Sequence, residues 1–213
     1  MIFQLDLHDI HFPDPTLAEP DGLLAVGGDL QPNRLMEAYR LGIFPWYNDD
    51  TPILWYSPHE RFVLFPEELK VSKSMRQVIR SAHFNVTYDH AFAKVIAACS
   101  NHPRRGQDGT WITRDMQEAY NKLHELGYAH SVEVWFNAEL AGGLYGVAVG
   151  NVFCGESMFS SKTNASKLAL ISLCASRGHG LIDCQVYTDH LASLGARMIP
   201  RWEYMEYLAN GSH

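Results

Sequence analysis

The amino-acid sequence predicts an α+β protein with a mixed sheet. Between Val71 and Gly127 the chain is mostly helical, with one short strand, and three strands then follow in direct succession. Strands that are joined by tight turns form an antiparallel meander. After the meander, helices and strands alternate to the end of the chain, and this order of elements is typical of the α+β class.

The N-terminal segment differs from the rest of the chain in its composition. It is rich in proline, glycine and tryptophan, and "FPDPTLAEPDGLLAVGGDL" contains one turn signal after another. Pro32 is expected to open a short helix that ends at Gly42, and short strands and loops follow it. We therefore predict a small N-terminal domain at residues 1–62 and a second domain at residues 63–213.

Three helices are predicted before the meander. Ser72 can cap a helix that runs to about Ser81, and Asp89 can cap the next one, after a short strand at residues 85–88. Thr113 can cap a third helix, which Gly127 ends. Apolar residues recur at helical spacing in the second and third of these segments, which indicates that one face of each helix is buried.

The meander consists of "HSVEVWF", "ELAGGLYGVAVG" and "NVFCGESMF", with turns at residues 137–138 and 150–151. Asn164 is expected to cap a helix that runs to about Arg177. The strand "LIDCQVY" follows, and Asp189 can cap a short helix that ends at Gly195. A last strand, "ARMIPR", and a final helix from about Trp202 complete the predicted order.

The overall composition excludes several classes of protein. A net charge of -7 provides no general attraction to nucleic acid, so any such contact requires a local basic patch. No apolar run approaches the ~20 residues that span a bilayer, and the N-terminus is acidic where a secretory signal is basic, so we expect a cytoplasmic protein.

The four cysteines show no CxxC spacing and suit a reduced core. We expect no metal and no cofactor, because HExxH, Walker and GxGxxG motifs are absent from the sequence.

Carboxylates occur in two strands that are otherwise apolar. Strand alternation places Asp183 and Gln185 on one face of "LIDCQVY". Alternation in "NVFCGESMF" places Glu156 on one face with Cys154 and Met158. A buried carboxylate is costly unless it is paired. Glu156 is therefore expected either at a solvent-facing edge or directed at a cationic group, whereas a satisfied structural carboxylate remains the alternative for Asp183.

A stripe of basic residues lies on the helix after Ser72. Lys73, Arg76 and Arg80 are spaced by three and four residues, and no acidic residue separates them. They suit phosphate binding, although a solvated helix face is the alternative. Arg104 and Arg105 could extend this basic stripe. Trp46 and Trp111 lie in predicted loops, where aromatic side chains can stack on bases or fill the space between domains.

Several motifs together resemble one known family. "GESMFS", "NASK" and "LIDCQV" occur in this order, with "GLLAVGGDL" and "AYRLGIFPWY" before them, and the similarity covers nearly the whole chain. These stretches resemble the leucyl/phenylalanyl-tRNA–protein transferases. The resemblance implies transfer of Leu or Phe, and less readily Met, from a charged tRNA to proteins that begin with Arg or Lys, which marks them for degradation. It also implies an acyl-CoA N-acyltransferase-like fold for the second domain.

The resemblance also implies roles for particular residues. Glu156 and Asp183 would project into one cleft that takes the cationic acceptor, with Asp183 and Gln185 at the reaction centre. Asp183 would either accept the proton of the amine or orient the amine. The remaining substrate-binding residues are Met158, Leu170, Leu144, Leu173 and Ile182 for the apolar side chain, Trp46 and Trp111 for the terminal adenosine, and Asn164.

Two other functions remain open at this point. A CoA-dependent N-acetyltransferase could share the fold, but its pyrophosphate-binding pattern [Q/R]-x-x-G-x-[G/A] does not occur in the sequence. A non-catalytic module that binds tRNA or N-terminal residues would need the cleft or the basic stripe, but not both.

Overall fold

The computed structural model describes residues 1–102, 111–176 and 178–210. Arg104, Arg105 and Arg177 lie outside the described residues. Within these residues the chain forms eleven strands, seven α-helices and two short 3-10 helices, which confirms the α+β class. The strands are β1 (Phe3–Leu5), β2 (Leu23–Gly27), β3 (Phe44–Pro45), β4 (Leu54–Tyr56), β5 (Glu60–Leu64), β6 (Asn85–Tyr88), β7 (Ala129–Phe136), β8 (Glu139–Val149), β9 (Val152–Ser160), β10 (Leu181–Gln185) and β11 (Arg197–Pro200). The helices are α1 (Pro32–Arg40), α2 (Lys73–Ser81), α3 (Phe92–Asn101), α4 (Arg114–Glu125), α5 (Ala165–Ala175), α6 (Asp189–Ser193) and α7 (Arg201–Asn210), and the 3-10 helices are Pro15–Leu17 and Pro66–Glu68.

The larger sheet has seven strands in the order β11-β5-β10-β9-β8-β7-β6. Strands β9 and β10 are parallel, whereas the other neighbours in this sheet are antiparallel, so the predicted mixed sheet and the meander of β7, β8 and β9 are confirmed. The smaller sheet has the order β1-β2-β4-β3. Strands β1 and β2 were not predicted, because β1 has only three residues and turn residues surround β2.

Strand β5 connects the N-terminal region to the larger sheet. It begins at Glu60, ahead of the predicted boundary between residues 62 and 63, and it pairs with both β10 and β11. Its residues alternate between the two faces of the sheet, with Val63 on one face and Phe62 and Leu64 on the other. The division into domains at 1–62 and 63–213 stays a prediction.

The larger sheet is covered on both faces. Helices α1, α3, α4 and α7 contribute buried side chains to the apolar cluster on one face, and α2, α5 and α6 to the cluster on the other. Neighbouring strand residues such as Leu181 and Ile182 belong to opposite clusters, as strand alternation requires. The candidate site lies where the strands of this sheet meet helices α5 and α6.

The predicted helix starts are only partly correct. Ser72 and Thr113 cap α2 and α4, because each side chain accepts a hydrogen bond from the backbone three residues further on. Asp89 does not cap α3, since its carboxylate accepts from the backbone and ring of the β7 residues Ser131 and His130. The carboxylate of Glu133 accepts from the backbone nitrogens that precede α3 instead.

The caps predicted for the two helices after the meander, α5 and α6, also differ from those observed. Thr188, and not Asp189, caps α6 through a hydrogen bond from the backbone of Leu191. Asn164 precedes α5 with a φ of 73°, and its side chain makes no capping hydrogen bond. No helix in the described part of the chain has the length and apolar composition that a membrane span requires.

Candidate active site

A cavity of about 460 Å³ lies beside strands β8, β9 and β10. The segment that contains β3 borders it, as do helices α5 and α6. Ten of the residues predicted from the sequence line this cavity. They are Trp46, Trp111, Leu144, Glu156, Met158, Leu170, Leu173, Ile182, Asp183 and Gln185.

The wall of the cavity is largely apolar. Leu144 from β8, Leu170 and Leu173 from α5 and Ile182 from β10 are all buried and belong to one hydrophobic cluster. Met158 is half-buried and packs against the same cluster. Phe153 and Leu191 also line the cavity and were not predicted, since single apolar residues in a core pattern carry no signal of their own. This wall suits an aliphatic or aromatic side chain of a ligand.

Two tryptophans border the cavity from other parts of the chain. Trp46 follows β3, is 41% exposed, and its ring packs edge-on against Tyr56 with centroids 5.8 Å apart. Trp111 is half-buried and directly follows residues that lie outside the described part of the chain. The exposed ring of Trp46 lies at the border of the cavity, where an aromatic side chain can stack on a base.

Glu156 occupies a β-bulge. In the pairing of β8 with β9, Tyr145 lies opposite Ser157 and Gly146 lies opposite Gly155, so Glu156 has no partner in the ladder. A bulge shifts the alternation of side chains by one residue. The prediction that Cys154, Glu156 and Met158 share a face is therefore wrong, because Cys154 and Met158 pack with clusters on opposite faces of the sheet.

Neutral donors surround the carboxylate of Glu156. The hydroxyls of Tyr39 and Tyr120 donate to it over 2.7 and 3.3 Å, and the side-chain nitrogen of Gln185 donates over 2.9 Å. Glu156 is only 7% exposed. The prediction of a solvent-facing edge is therefore wrong, and within the described residues three uncharged groups satisfy this carboxylate. That Glu156 is directed at a cationic group of a ligand stays a prediction.

Burial has the largest effect on the pKa of Glu156. It raises the pKa of Glu156 to about 7, although the hydrogen bonds from Tyr39, Gln185 and Tyr120 act in the opposite direction. The charge of Asp183 also raises this pKa. The pKa values of Tyr39 and Tyr120 are raised well above their ordinary value, first by burial and then by the charge of Glu156. Glu156 therefore changes protonation near neutral pH.

Asp183 is fully buried and paired with a cation. Its carboxylate accepts hydrogen bonds from Arg61 of β5 and, over 3.0 Å, from the backbone nitrogen of Gln185. The pairing of β10 with β5 omits Cys184, and Gln185 has a φ of 60°. The alternation expected for "LIDCQVY" is thus interrupted after Asp183, and the side chain of Gln185 reaches Glu156 on the neighbouring strand.

Three partners of the carboxylates were missed by sequence reasoning. Tyr39, Tyr120 and Arg61 lie 117, 36 and 122 residues away from the carboxylate that each one contacts. Tyr39 and Tyr120 each lie among apolar residues at helical spacing, which indicated that they are buried but not which groups their hydroxyls contact. Only the fold brings these groups together.

Cys154, Cys174 and Cys184 are not activated nucleophiles, because burial raises the pKa of each thiol. Cys184 lines the cavity, and burial, followed by the charge of Asp183, raises the pKa of its thiol above the ordinary value. A thiol with a raised pKa is a poor nucleophile at neutral pH. Within the described residues, no group of three or more His, Cys, Asp or Glu side chains could hold a metal ion.

The other predicted residues lie outside the cavity. Lys73, Arg76 and Arg80 are exposed on α2, and none of them has an ion-pair partner within the described residues. Asn164 is half-buried at the start of α5 and is not among the described residues that line the cavity. The basic stripe on α2 is therefore separate from the apolar wall.

Comparison with protein families assigns most of the chain. The model of the leucyl/phenylalanyl-tRNA protein transferases matches residues 63–209, and the model of the N-terminal domain of these transferases matches residues 28–59. The chain belongs to this family. The transferase from Syntrophus aciditrophicus is 63% identical over 195 residues, which cover 90% of this chain and 82% of that protein. The transferase from Salmonella arizonae is 54% identical over 213 residues, which cover 98% of this chain and 90% of that protein.

The membership of the leucyl/phenylalanyl-tRNA–protein transferase family establishes the class of reaction. The chain is an aminoacyltransferase, and the family name implies an aminoacyl-tRNA as its partner. The resemblance that the sequence motifs indicated is thus confirmed.

Two solved structures share a distant likeness with this transferase. FemX matches with a TM-score of 0.46 and 11% identity, over 79% of this chain and 66% of its own. A GCN5-related N-acetyltransferase from Kribbella flavida matches with a TM-score of 0.39 and 11% identity, over 80% and 57% of the two chains. At these scores the likeness carries no argument, and the N-acyltransferase-like topology stays a prediction.

Proposed function

We propose that this transferase moves Leu or Phe, and less readily Met, from aminoacyl-tRNA to the α-amine of proteins that begin with Arg or Lys. The added residue marks these proteins for degradation in the cytoplasm. One observation carries the proposal: a single cavity combines an apolar wall with the hydrogen-bonded pair of Glu156 and Gln185. Such a cavity suits a donor with an apolar side chain and an acceptor with cationic groups.

The donor is assigned to the apolar side of the cavity. Met158, Leu170 and the neighbouring leucines would receive the side chain of Leu or Phe, whose burial contributes roughly 1.5–3 kcal/mol. Trp46 and Trp111 would stack on the terminal adenosine. The exposed cations of α2 would contact phosphates of the tRNA, which supplies affinity without selecting the amino acid.

The reaction itself requires little from the protein. An aminoacyl ester is already activated, and an α-amine with a pKa of about 7.7–8.0 is partly neutral at physiological pH. Placement of the amine against the ester carbonyl supplies much of the rate, and donors for the developing oxyanion supply more. Gln185 and Glu156 are the polar side chains that we assign to this placement.

Asp183 could accept the proton of the amine or act through its neighbours. Both of its carboxylate oxygens are already engaged, one by Arg61 and the other by the backbone of Gln185. This geometry supports a positioning role, in which Asp183 fixes the unusual backbone of Gln185 and thereby directs its side chain to Glu156.

A transfer assay tests the proposal. The protein is incubated with labelled Leu-tRNA and matched peptides that begin with Arg, Lys or Ala, and a parallel reaction contains acetyl-CoA. We expect label on the Arg and Lys peptides alone, and no acetylation. Equal transfer to the Ala peptide would contradict the proposed acceptor class, and binding of both substrates without transfer would contradict the reaction.

A further inference from the structure

Arg61 is a buried cation in the larger sheet. It lies on β5, is 2% exposed, and donates one guanidinium hydrogen bond to the carboxylate of Asp183. Its Nη1 donates a second hydrogen bond, over 2.8 Å, to the backbone carbonyl of Gly42. One side chain therefore joins strand β10 to the turn that follows α1.

Two aromatic rings hold the guanidinium from its other sides. Its central carbon lies 4.9 Å from the centroid of the Phe44 ring and 4.5 Å from that of Tyr204. Both distances fall within the range of cation–π contacts. Burial lowers the pKa of Arg61, but the charge of Asp183, its hydrogen bond and the charges of Tyr204 and Cys154 together outweigh burial. The pKa therefore lies above its ordinary value and the group stays charged.

The two hydrogen-bonded arms of Arg61 lead to two different borders of the cavity. Residues 44–46 follow Gly42 closely in the chain and end in Trp46. All three of them line the cavity. Asp183 lines the cavity from β10 and holds the backbone of Gln185. One guanidinium group therefore connects these two borders directly.

We propose that Arg61 is a positioning residue of this active site, which sets the distance between the segment that carries Trp46 and the strand that carries Asp183 and Gln185. The inference rests on the roles proposed above for Trp46 and Asp183. The adenosine end of the donor would stack on one border while the amine is placed at the other. Misplacement of reacting groups by about 1 Å can reduce a rate about 100-fold.

Two substitutions of Arg61 distinguish the effect of its positive charge from the effect of the shape of its guanidinium group. Lysine keeps a cation for Asp183, but it lacks the rigid fork that reaches two acceptors and stacks between two rings. Arg61→Lys is therefore the principal variant. Arg61→Gln also removes the charge and leaves the carboxylate of Asp183 without its cation, which is strongly destabilising in a buried pair.

Arg34 provides a matched control for loss of a buried arginine. It is fully buried on α1 and donates to the backbone carbonyls of Asp6 and Asp9 and to the carboxylate of Asp29. Arg34 is not among the described residues that line the cavity. Its substitution should lower stability without moving either border of the active site.

The experiment compares Arg61→Lys and Arg61→Gln with Arg34→Lys and Arg34→Gln in the full-length protein. Values of kcat and KM for Leu-tRNA and for an Arg-starting peptide are measured at a temperature at which circular dichroism shows each variant folded. We expect kcat/KM to fall about 100-fold for Arg61→Lys and to stay within about threefold of wild type for Arg34→Lys. Wild-type kinetics in Arg61→Lys would overturn the proposal, as would equal losses in both lysine variants.

Double variants show whether Arg61 acts through the two borders. Residues that act as a unit give non-additive effects. Arg61→Lys should therefore cost much less in the background of Asp183→Asn, and also in that of Trp46→Ala, than in wild type. Full additivity in both backgrounds would overturn the inference while the proposed function stands. Wild-type rates in Asp183→Asn and Trp46→Ala themselves would remove the proposed roles and this inference together.

Discussion

The side-chain nitrogen of Gln185 donates a hydrogen bond of 2.9 Å to the carboxylate of Glu156 across two parallel, neighbouring strands. This contact requires an irregularity in both strands, a bulge at Glu156 and a positive φ at Gln185. Backbone conformations of this kind cost free energy and persist where the surrounding structure holds them. The surrounding structure therefore holds Glu156 and Gln185 together as a pair.

Glu156 should make stability depend on pH. The pKa of Glu156 is about 7 in the folded protein, whereas the ordinary value of 4.5 applies to the unfolded chain. As the pH rises, the carboxyl group of Glu156 therefore loses its proton in the unfolded chain before it does so in the folded protein. The stability that the protonated group contributes is complete below pH 4.5 and is lost as the pH rises through 7. Relative to Glu156→Gln, the wild-type protein should lose about 3 kcal/mol of unfolding free energy between pH 4 and pH 8.

Urea unfolding of both proteins across this pH range measures the difference. Glu118→Gln, which replaces an exposed carboxylate on α4, controls for the general effect of removing one negative charge. A constant difference between wild type and Glu156→Gln would show that Glu156 does not change protonation in this range.

Tyr39→Phe should lower the free energy of unfolding, because it removes a hydrogen bond to the carboxylate of Glu156. The Tyr39 hydroxyl donates to Glu156 over 2.7 Å, and a hydrogen bond to a charged group contributes about 1.5–3 kcal/mol. We expect a loss of this size in unfolding free energy at pH 8, where Glu156 is ionised, and a smaller loss at pH 5. Tyr88→Phe, whose hydroxyl donates to the backbone carbonyl of Ser172 near the surface, is the control. Equal losses at both pH values would contradict the contribution of the charge.

The larger sheet could be predicted from the sequence because its elements have strong local signals. Thr113 marks the start of α4, and short turns separate β7, β8 and β9. Alternation correctly predicted the apolar strands, but it failed at Glu156 and after Asp183, where each strand contains an extra residue. Bulges depend on the partner strand, and a single strand sequence does not reveal the partner.

The ion pair of the candidate site was not predictable in the same way. A buried carboxylate was one alternative for Asp183, but Arg61 belongs to a proline-rich region in which no strand pairing could be inferred. Similarly, it is Glu133 on a distant strand, and not Asp89, whose carboxylate accepts from the backbone nitrogens of His90 and Ala91 before α3. Contacts between distant parts of the chain decide these roles.

The basic stripe on α2 should bind tRNA through its phosphates. Combined replacement of Lys73, Arg76 and Arg80 by Ala should weaken binding of Leu-tRNA and reduce its salt dependence, because each lost phosphate contact lowers the slope by nearly one. Turnover of a minimal aminoacyl-nucleoside donor should change little. Filter binding at several salt concentrations measures both quantities.

Three exposed cations elsewhere provide the control for net charge. Lys94, Lys122 and Arg197 lie on α3, α4 and β11, and their combined replacement by Ala removes the same charge. If this control and the α2 variant reduce the salt slope equally, the stripe has no special role and only the net charge matters.

Met158 should contribute to the choice of donor. Its side chain lines the apolar wall, and its loss removes contact area that is worth roughly 1.5–3 kcal/mol when a side chain is buried. Met158→Ala should therefore reduce the use of Leu and Phe donors by about 10- to 100-fold in kcat/KM and alter their ratio. Met116→Ala truncates a buried methionine of α4 outside the cavity and should keep the wild-type profile. An unaltered preference among Leu, Phe and Met in Met158→Ala would remove that residue from the donor site.

The most direct test of the active site is the transfer rate of Gln185→Ala with both substrates at saturation. Gln117→Ala, which replaces a half-buried glutamine of α4, is the matched control. If the pair of Glu156 and Gln185 places the amine, the rate of leucine transfer to an Arg-starting peptide should fall about 100-fold in Gln185→Ala and stay near wild type in Gln117→Ala. A wild-type rate in Gln185→Ala would contradict the assignment of this cavity as the site of transfer.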